Sequence, residues 1–278
     1  MTDRYAIFGN PVAHSKSPQI HAEFARETGQ DISYQHSLVE REDFSRAVDA
    51  FRLSGAAGAN VTVPFKVQAY HCATELTPRA RRCGAVNTLK FDGATILGDN
   101  TDGLGLCADL DRNLRFMLAD TRILVIGAGG AARGVMGNLV DARPKLLVVT
   151  NRSIRNAEAI TQQFNDAANI NIRVMPVTEL PLHQFDLIIN ATSTSLTNEL
   201  PPVPPASFTA QTLAYDMVYG RGQTPFLVLA ANAGARTADG LGMLVEQAAE
   251  SFLLWRGVRP NTAPVLAMLR KQLAHDTY

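Results

Sequence analysis

The chain has 278 residues, of which 46% are hydrophobic and 19% are charged, and its formal net charge is zero. The length suggests two domains that each bury a core without help from disulfides or metals, and the composition is that of an ordinary soluble globular protein. A zero net charge without a block of like charges argues against a general nucleic-acid-binding or anionic-membrane surface, so we expect a small-molecule partner.

The sequence shows neither a targeting signal nor a metal-binding motif. The N-terminus lacks the apolar core of a signal peptide, and no apolar run approaches the ~20 residues of a membrane span. Cys72, Cys83 and Cys107 cannot form a closed disulfide framework, which favours a reducing, cytoplasmic location. The histidines and cysteines show no metal-type spacing, so no metal site is predicted.

The first predicted strand, Tyr5 to Phe8, ends in a turn, and an amphipathic helix is expected from about residue 18 to residue 28. Ser17 is a good N-cap and Pro18 suits the first helical position, so the segment can be interpreted simply as a helix start. That interpretation leaves Ser15 and Lys16 unexplained. Two hydroxyls with free backbone amides at a helix N-terminus could also hold a carboxylate, and the residues alone leave both interpretations open.

A strand at residues 32–38, a helix at 44–53 and a strand at 59–63 continue a βαβα pattern, which predicts a mostly parallel sheet. In open α/β sheets, ligands bind outside the carboxyl ends of the strands. Thr62 and Lys66 fall at that point in the third strand. A lone lysine is usually a solvated surface charge, but its position makes Lys66 a better candidate than most.

A hairpin is predicted next, with Asp92-Gly93 at its turn and Asn87 ahead of its first strand. Its second strand leads into the polar segment Asp99 to Gly103, followed by a helix from Leu104 to about Leu118. Cap-type residues here could simply cap that helix. The segment contains more of them than one helix needs, which favours a binding role.

The stretch from Arg122 to Arg133, with sequence RILVIGAGGAAR, organises the second half of the chain. The apolar run at residues 123–126 predicts a strand buried on both faces of a parallel sheet. Gly127, Gly129 and Ala132 fit the dinucleotide fingerprint, in which small residues allow a tight turn, close approach of backbone to a pyrophosphate, and close helix–strand packing. The strand and the Ala-rich helix around them favour a cofactor site.

The second strand of this domain, Lys145 to Thr150, ends at Asn151 and Arg152. Domains that bind NAD place an Asp or Glu at this point to accept the ribose 2′-hydroxyl, whereas an Arg accommodates the 2′-phosphate of NADP. A guanidinium can pair with that phosphate through two hydrogen bonds. Arg152 therefore favours NADP, against the alternative that it is a solvated residue at a helix start.

Further strands are predicted at residues 171–175, 185–190 and 213–218, a long helix from about residue 239 to residue 255, and a final helix at 264–273. Gln247 falls close to the buried face of the long helix, where its amide would need partners. Those partners could be core groups or the hydroxyls of a substrate.

Taken together, these segments resemble the shikimate dehydrogenase family, nearly end to end and in the family's order. The motifs are Ser15-Lys16-Ser17-Pro18, residues 60–66, 84–88 and 99–103, the Gly127 fingerprint, Tyr215-Asp216-Met217 and residues 239–247. The resemblance implies a two-domain α/β fold. Residues 1–103 and 241–278 would form a mostly parallel substrate domain to which the C-terminal helices return, and residues 104–240 a doubly wound Rossmann-type NADP domain.

The resemblance also implies an enzyme activity, the reversible NADPH-dependent reduction of 3-dehydroshikimate to shikimate on the route to chorismate and the aromatic amino acids. Lys66 and Asp102 would be the catalytic pair. Ser15 and Ser17 would hold the substrate carboxylate. The residues that would bind or flank the ring hydroxyls are Thr62, Asn87, Asp102, Tyr219 and Gln247. The residues that match cofactor contacts are Gly127, Ala128, Gly129, Gly130, Ala131, Asn151, Arg152, Ser153, Arg155, Asn156, Met217 and Gly240.

The chain departs from the family pattern where the 2′-phosphate would bind. The family often has Asn-Arg-Thr with a second Arg three residues after the Thr, whereas this chain has Ser153 and then Asn156, with Arg155 one place earlier. A second departure is Pro78, where relatives can have an acidic residue near the cofactor. These differences leave the set of phosphate contacts open, although Arg152 remains.

Two alternative functions compete with this one. A quinate/shikimate dehydrogenase accepts an extra ring hydroxyl and often uses NAD, and Arg152 counts against it. A catalytically silent NADP sensor has no need of Lys66 and Asp102 together with a set of hydroxyl-binding residues. The sequence leaves the choice between a monomer and a homodimer open.

Overall fold

The computed structural model describes residues 2–165, 171–220 and 222–275. The chain forms two compact units, the first from residues 1–105 and 244–266 and the second from residues 106–243 and 267–278. The predicted domain boundaries, after residues 103 and 240, lie within three residues of the divisions after residues 105 and 243. The last part of the final helix, predicted in the substrate domain, groups with the second unit. The assignment of a ligand to each domain stays a prediction.

The first unit is built on one six-stranded sheet. Its strands are β1 (Asp3–Gly9), β2 (Ile32–Leu38), β3 (Gly58–Val61), β4 (Glu75–Leu76), β5 (Thr88–Asp92) and β6 (Thr95–Asp99). Its helices are α1 (Ser17–Thr28), α2 (Phe44–Leu53), α3 (Lys66–Cys72) and α4 (Pro78–Cys83). The strand order is β2-β1-β3-β5-β6-β4, in which only the two pairings of β5 are antiparallel. Phe8, Phe44, Phe65 and Leu89 are among the buried side chains of its core.

Three helices have parts that belong to both units. They are α5 (Asp102–Ala108), α9 (Leu241–Arg256) and α10 (Thr262–His275). The second unit also contains helices α6 (Gly130–Asp141), α7 (Ile154–Asn165) and α8 (Pro225–Asn232). Its strands are β7 (Arg122–Ile126), β8 (Leu146–Thr150), β9 (Ile172–Val174), β10 (Leu187–Asn190), β11 (Leu213–Asp216) and β12 (Arg236–Asp239).

The second sheet is parallel throughout, in the order β12-β11-β10-β7-β8-β9. This is the strand order of a doubly wound Rossmann fold, and the order reverses between β7 and β10. Every residue from Ile123 to Ile126 is fully buried, as expected for a strand covered on both faces. The two sheets and their helices confirm the predicted two-domain α/β fold.

Several local predictions are wrong. The helix expected to run to Leu118 ends at Ala108, because the chain continues as one π-helical turn over Asp109–Asn113 and then takes a positive φ of 54° at Arg115. The hairpin loop is Gly93-Ala94 rather than Asp92-Gly93, since Asp92 pairs with Thr95 and glycine takes the positive φ of 56°. The predictions also omitted β4, β12 and α8.

An aromatic cluster in the first unit contains His21, which is fully buried. Its ring stacks on Tyr34 at a centroid distance of 4.4 Å and an interplanar angle of 8°, and Trp255 lies 5.3 Å away. Neither ring nitrogen makes a hydrogen bond of normal geometry within the described chain. Burial lowers the pKa of His21 from 6.5 to about 3, an effect that the nearby amide of Asn60 offsets only in part.

We expect His21→Phe to stabilise the protein and to flatten its acid sensitivity. Between pH 6.5 and about 3 the unfolded chain protonates His21 whereas the folded chain does not, so stability is lost as the pH falls, by about 1.4 kcal/mol per pH unit. Phe keeps the ring contacts and removes two unsatisfied nitrogens, which adds about 1–3 kcal/mol at pH 7. Urea unfolding between pH 5 and 7 measures both effects. His71→Phe, at an exposed histidine, is the control, and an unchanged pH slope in His21→Phe contradicts the prediction.

Candidate active site

The side chains of Lys66 and Asp102 form an ion pair in the first unit, with 2.6 Å between Lys66 Nζ and Asp102 Oδ2. Lys66 opens α3 shortly after β3 ends, and Asp102 opens α5 shortly after β6 ends. The lysine side chain is 14% exposed and the aspartate 6%. A pair so withdrawn from water is favourable only when further hydrogen bonds hold it. Asn87 supplies one, because its Nδ2 donates to Asp102 Oδ1 at 2.9 Å.

Asn87 lies directly before β5 and is itself held by a buried polar network. Its Oδ1 accepts from the Thr101 backbone N–H at 2.9 Å and from the Thr88 hydroxyl at 2.8 Å. Gln247 of α9 joins this network, since its Oε1 lies 3.2 Å from Asn87 Nδ2, and its Nε2 donates to the Leu244 carbonyl at 2.8 Å. The structure therefore brings Lys66, Asp102, Asn87 and Gln247 together, although they are far apart in sequence.

The two predicted carboxylate-binding serines contact one another at the start of α1. Ser15 Oγ donates to Ser17 Oγ at 3.1 Å and lies 3.3 Å from the Ser17 backbone nitrogen. The prediction that Ser17 is the N-cap is wrong, because Ser17 is the first helical residue and Lys16 occupies the N-cap position without a side-chain cap. Thr62, half-buried, directly follows β3.

A second polar network leads from Ser17 toward Asn87. Tyr34 lies beside Ser17, and burial raises the pKa of its phenol well above the usual value, an effect that a hydrogen bond with Ser17 partly opposes. The phenol therefore stays protonated and donates to Asn60 Oδ1 at 2.7 Å. Asn60 Nδ2 in turn donates to the Asn87 carbonyl at 3.1 Å. Tyr34 and Asn60 were not predicted, because nothing local in the sequence links them to Ser17 or Asn87.

The glycine fingerprint lies at the carboxyl end of β7, where the strand order of the second sheet reverses. Gly127 has a φ of 116°, and a Cβ atom there would lie 3.0 Å from the Ala191 carbonyl oxygen and 3.1 Å from Thr192 Cγ2. The fold itself therefore requires glycine at residue 127.

The fold does not require glycine at residue 129, in contrast to residue 127. Its φ of −84° and ψ of −169° are extended values that any residue adopts. A Cβ atom there would meet nothing within 4 Å. Residue 129 is the N-cap of α6, and no side chain caps that helix end. The missing Cβ and the uncapped amides leave room for an anion close to the backbone, which fits the pyrophosphate of a dinucleotide.

The segment after β8 is exposed. Arg152, Ser153, Arg155 and Asn156 all face solvent, and α7 begins at Ile154. The Asn151 side chain shapes the turn, since its Nδ2 donates to the Ser153 carbonyl at 3.0 Å. An exposed guanidinium at the end of the second strand fits the 2′-phosphate of NADP. Arg155 lies in the first turn of α7.

The loop after β11 contains two further predicted residues, Met217 and Tyr219, both half-buried. Asp216 anchors this loop, because its buried carboxylate accepts from Ser195 and Thr224 hydroxyls and from the Val218 backbone N–H; these distances are 2.6, 2.6 and 3.0 Å. The role of Asp216 was not predicted.

Gly240, which follows β12, packs against the same loop. A Cβ atom there would lie 2.3 Å from the Met217 carbonyl oxygen. Tyr219 lies in the second unit with the predicted cofactor residues Met217 and Gly240, whereas the other predicted substrate-binding residues lie in the first unit.

Within residues 2–165, 171–220 and 222–275, no group of three or more His, Cys, Asp or Glu side chains is arranged to hold a metal ion. No helix in the described part of the chain is both long enough and apolar enough to cross a membrane.

Three family models match the chain. The model described as "Shikimate dehydrogenase substrate binding domain" covers residues 7–89, and "Shikimate / quinate 5-dehydrogenase" covers residues 110–198. A third, "Shikimate 5'-dehydrogenase C-terminal domain", covers residues 240–270.

Whole-chain comparisons agree with the family models. The chain is 55% identical to a shikimate dehydrogenase (NADP(+)) of Herminiimonas arsenicoxydans, over 98% of this chain and 99% of the relative. The crystal structure of an Ael1 enzyme from Pseudomonas putida superposes with a TM-score of 0.89 at 43% identity, covering 96% of this chain and 98% of that one. A shikimate 5-dehydrogenase from Thermus thermophilus, in complex with NADP(H) and shikimate, gives a TM-score of 0.86 at 32% identity, covering 97% and 99% of the two chains.

Proposed function

The chain belongs to the shikimate dehydrogenase family, and we propose on this premise that it reduces 3-dehydroshikimate reversibly to shikimate with NADPH, a step toward chorismate and the aromatic amino acids. The observation that carries the proposal is the Lys66–Asp102 ion pair, with 2.6 Å between Nζ and Oδ2 and a second hydrogen bond from Asn87 to Asp102. A regulatory module that only senses a dinucleotide has no use for a buried pair of this kind.

The reaction requires the protein to supply a positive charge and a proton at the ketone oxygen. NADPH, when bound, supplies the hydride. The ketone oxygen gains negative charge in the transition state, so a positioned cation that can give up a proton lowers the barrier. Lys66 holds that proton at Nζ, and Asp102 orients the ammonium through Oδ2. Because Asn87 occupies Oδ1, the carboxylate cannot rotate away from Lys66 without losing a hydrogen bond.

The other predicted substrate residues of the first unit have polar side chains that can bind a carboxylate and several hydroxyls. We propose that the paired hydroxyls of Ser15 and Ser17 hold the carboxylate at the start of α1, where backbone amides favour an anion. We propose that Asn87 and Asp102 bind the ring hydroxyls. We assign the neighbouring hydroxyl contacts to Thr62, Tyr219 and Gln247.

For the cofactor, Gly127 shapes the turn and Gly129 leaves space for the pyrophosphate at the N-terminus of α6. The full set of residues that we propose to hold NADPH is Gly127, Ala128, Gly129, Gly130, Ala131, Asn151, Arg152, Ser153, Arg155, Asn156, Met217 and Gly240. The exposed Arg152 and Arg155 are candidates for the 2′-phosphate.

The activity is tested by following the absorbance of NADPH after adding 3-dehydroshikimate and identifying shikimate by chromatography. NADH in place of NADPH, and quinate with NADP⁺ in the reverse direction, separate this activity from that of a quinate/shikimate dehydrogenase. Absence of turnover in both directions, with NADPH binding intact, contradicts the proposal and favours a silent sensor.

We expect Arg152→Ala to raise the KM for NADPH by about 10- to 100-fold, the effect of losing a charged hydrogen bond of about 1.5–3 kcal/mol. The KM for NADH should not change, since NADH lacks the 2′-phosphate. Steady-state kinetics with both cofactors measure the difference. Arg155→Ala is the matched variant and reports whether the shifted arginine shares the phosphate. Equal effects on NADPH and NADH contradict the assignment of Arg152.

A cytoplasmic location and a monomeric or homodimeric state are proposals from the sequence. The three cysteines, all free thiols, are compatible with a reducing compartment. Analytical ultracentrifugation of the purified protein distinguishes the two oligomeric states.

A further inference from the structure

Asp99 is a buried carboxylate with no part in the chemistry described above. It ends β6, three residues before Asp102, and is fully buried. Its Oδ1 accepts from the Thr77 hydroxyl at 2.6 Å, from Arg79 Nε at 2.7 Å and from the Asn100 backbone N–H at 2.8 Å, while Oδ2 accepts from Arg79 Nη2. Arg79 thus binds both carboxylate oxygens, a geometry that lysine cannot reproduce.

This carboxylate joins two segments that are separate in the sequence. Thr77 and Arg79 belong to the start of α4, where the Thr77 hydroxyl also accepts from the Ala80 backbone N–H as the N-cap of that helix. Asp99 and Asn100 belong to the end of β6 and the turn that follows. The Asp99 backbone carbonyl also accepts from the Asn87 N–H at 3.0 Å, so the residue holds the backbone of Asn87 as well.

From Asp99 the hydrogen bonds continue to the ion pair. The Asn100 side chain donates to the Ala85 carbonyl at 3.0 Å and accepts from the Asp102 backbone N–H at 3.1 Å. The next residue, Val86, donates its N–H to the Lys66 carbonyl at 2.8 Å. The backbones of both Lys66 and Asp102 are therefore tied to the turn that Asp99 anchors.

We propose that Arg79 is a positioning residue for the reaction, whose guanidinium holds Asp99 and through it the orientation of the Asp102 carboxylate toward Lys66. The inference rests on the proposed function. The Arg79 side chain is 40% exposed, so its replacement opens no buried cavity. Its removal frees Asp99 and the turn at residues 99–102 instead, and a small displacement of a catalytic group has a large effect on rate.

Arg79→Gln should lower kcat for 3-dehydroshikimate by about 10- to 100-fold, while the KM for NADPH stays unchanged. Arg79→Lys should recover part of the loss, since it restores the charge at one carboxylate oxygen. Thr77→Val removes one neutral donor to Asp99 together with the N-cap of α4, and it is the second variant if Arg79→Gln does not fold; a smaller loss of kcat is expected. Arg46→Gln, which breaks an exposed arginine–aspartate pair at the start of α2, is the control and should leave kcat unchanged.

A double-mutant cycle of Arg79→Gln with Asp102→Asn, measured by single-turnover rates, shows whether Arg79 positions the Asp102 carboxylate or has only a general structural role. If Arg79 acts through Asp102, Arg79→Gln has little further effect once the Asp102 carboxylate is gone. An equal loss in both backgrounds, or an unchanged kcat in a folded Arg79→Gln, overturns the inference. An inactive wild type contradicts the proposed function, whereas an active wild type that tolerates these changes contradicts only the role of Arg79.

Discussion

Lys66→Met is expected to lower kcat for 3-dehydroshikimate reduction by about 100- to 10,000-fold, the range over which a positioned proton donor contributes. The thioether cannot carry a charge or a proton, so the oxygen that gains negative charge loses its stabilising cation. The KM for NADPH should change little, because Lys66 lies in the first unit and the fingerprint residues lie in the second. A loss confined to kcat is the sign of an interaction made in the transition state.

Steady-state and single-turnover rates, with shikimate binding measured by calorimetry, check this expectation. Lys145→Met, at an exposed lysine of the second unit, is the matched control and should leave the rates unchanged. Because the substitution also leaves Asp102 without its cation, urea unfolding shows whether the variant remains folded. A folded Lys66→Met that retains wild-type kcat removes Lys66 from the chemistry.

The second large effect is expected from Gly129→Ala. The residue has ordinary extended backbone angles, and a Cβ atom there meets nothing within 4 Å, so the free energy of unfolding should not change. If the space belongs to the pyrophosphate, the methyl group displaces it from the amides of α6, and NADPH affinity should fall by tenfold or more, about 1.4 kcal/mol. Shikimate affinity should be unaffected.

Gly127→Ala is the comparison variant, because it is expected to lower stability. Its φ of 116° and the 3.0 Å approach to the Ala191 carbonyl oxygen predict a loss of stability of about 1–3 kcal/mol. Urea unfolding and fluorescence titration with NADPH separate the two outcomes. Unchanged NADPH affinity in Gly129→Ala, or a loss of stability equal to that of Gly127→Ala, contradicts the assignment of the space to the cofactor.

The parts of the fold that the sequence predicted well are those with strong local signals. The apolar run before Gly127 specified β7, and the glycines specified the turn to α6, because both patterns are contained within a dozen residues. By contrast, β12 consists of Arg236, Thr237, Ala238 and Asp239, of which only Ala238 is buried. Such a strand carries no periodic signal and forms only because β11 offers it a parallel edge.

The helix predicted to reach Leu118 shows how tertiary contacts override a local pattern. Asp109, where the π-helical turn begins, is 2% exposed, and its Oδ2 accepts from the Tyr215 hydroxyl at 2.6 Å. A Cβ atom on Gly242 would overlap the same carboxylate, so α9 packs directly against it. These partners are more than a hundred residues away in sequence and could not be inferred from the residues around Asp109.

In the candidate site, too, the sequence predicts individual residues but not the contacts between them. Lys66 and Asp102 were predicted from strand-end position and family resemblance, but their 2.6 Å contact emerged only from the fold. In the sequence alone, Asp99 is one of several cap-type residues. Its partners Thr77 and Arg79 precede it by about twenty residues, across the hairpin, so only the structure assigns it the role of an anchor.

Isotope transfer tests whether the chain moves hydride from NADPH to the ketone of 3-dehydroshikimate. NADPH deuterated at carbon four of the nicotinamide, prepared separately for each face, is incubated with the enzyme and 3-dehydroshikimate, and the shikimate formed is analysed by mass spectrometry. We expect shikimate that carries one deuterium on the reduced carbon, from one face only. Shikimate without deuterium from either cofactor, or no shikimate at all, would contradict this expectation.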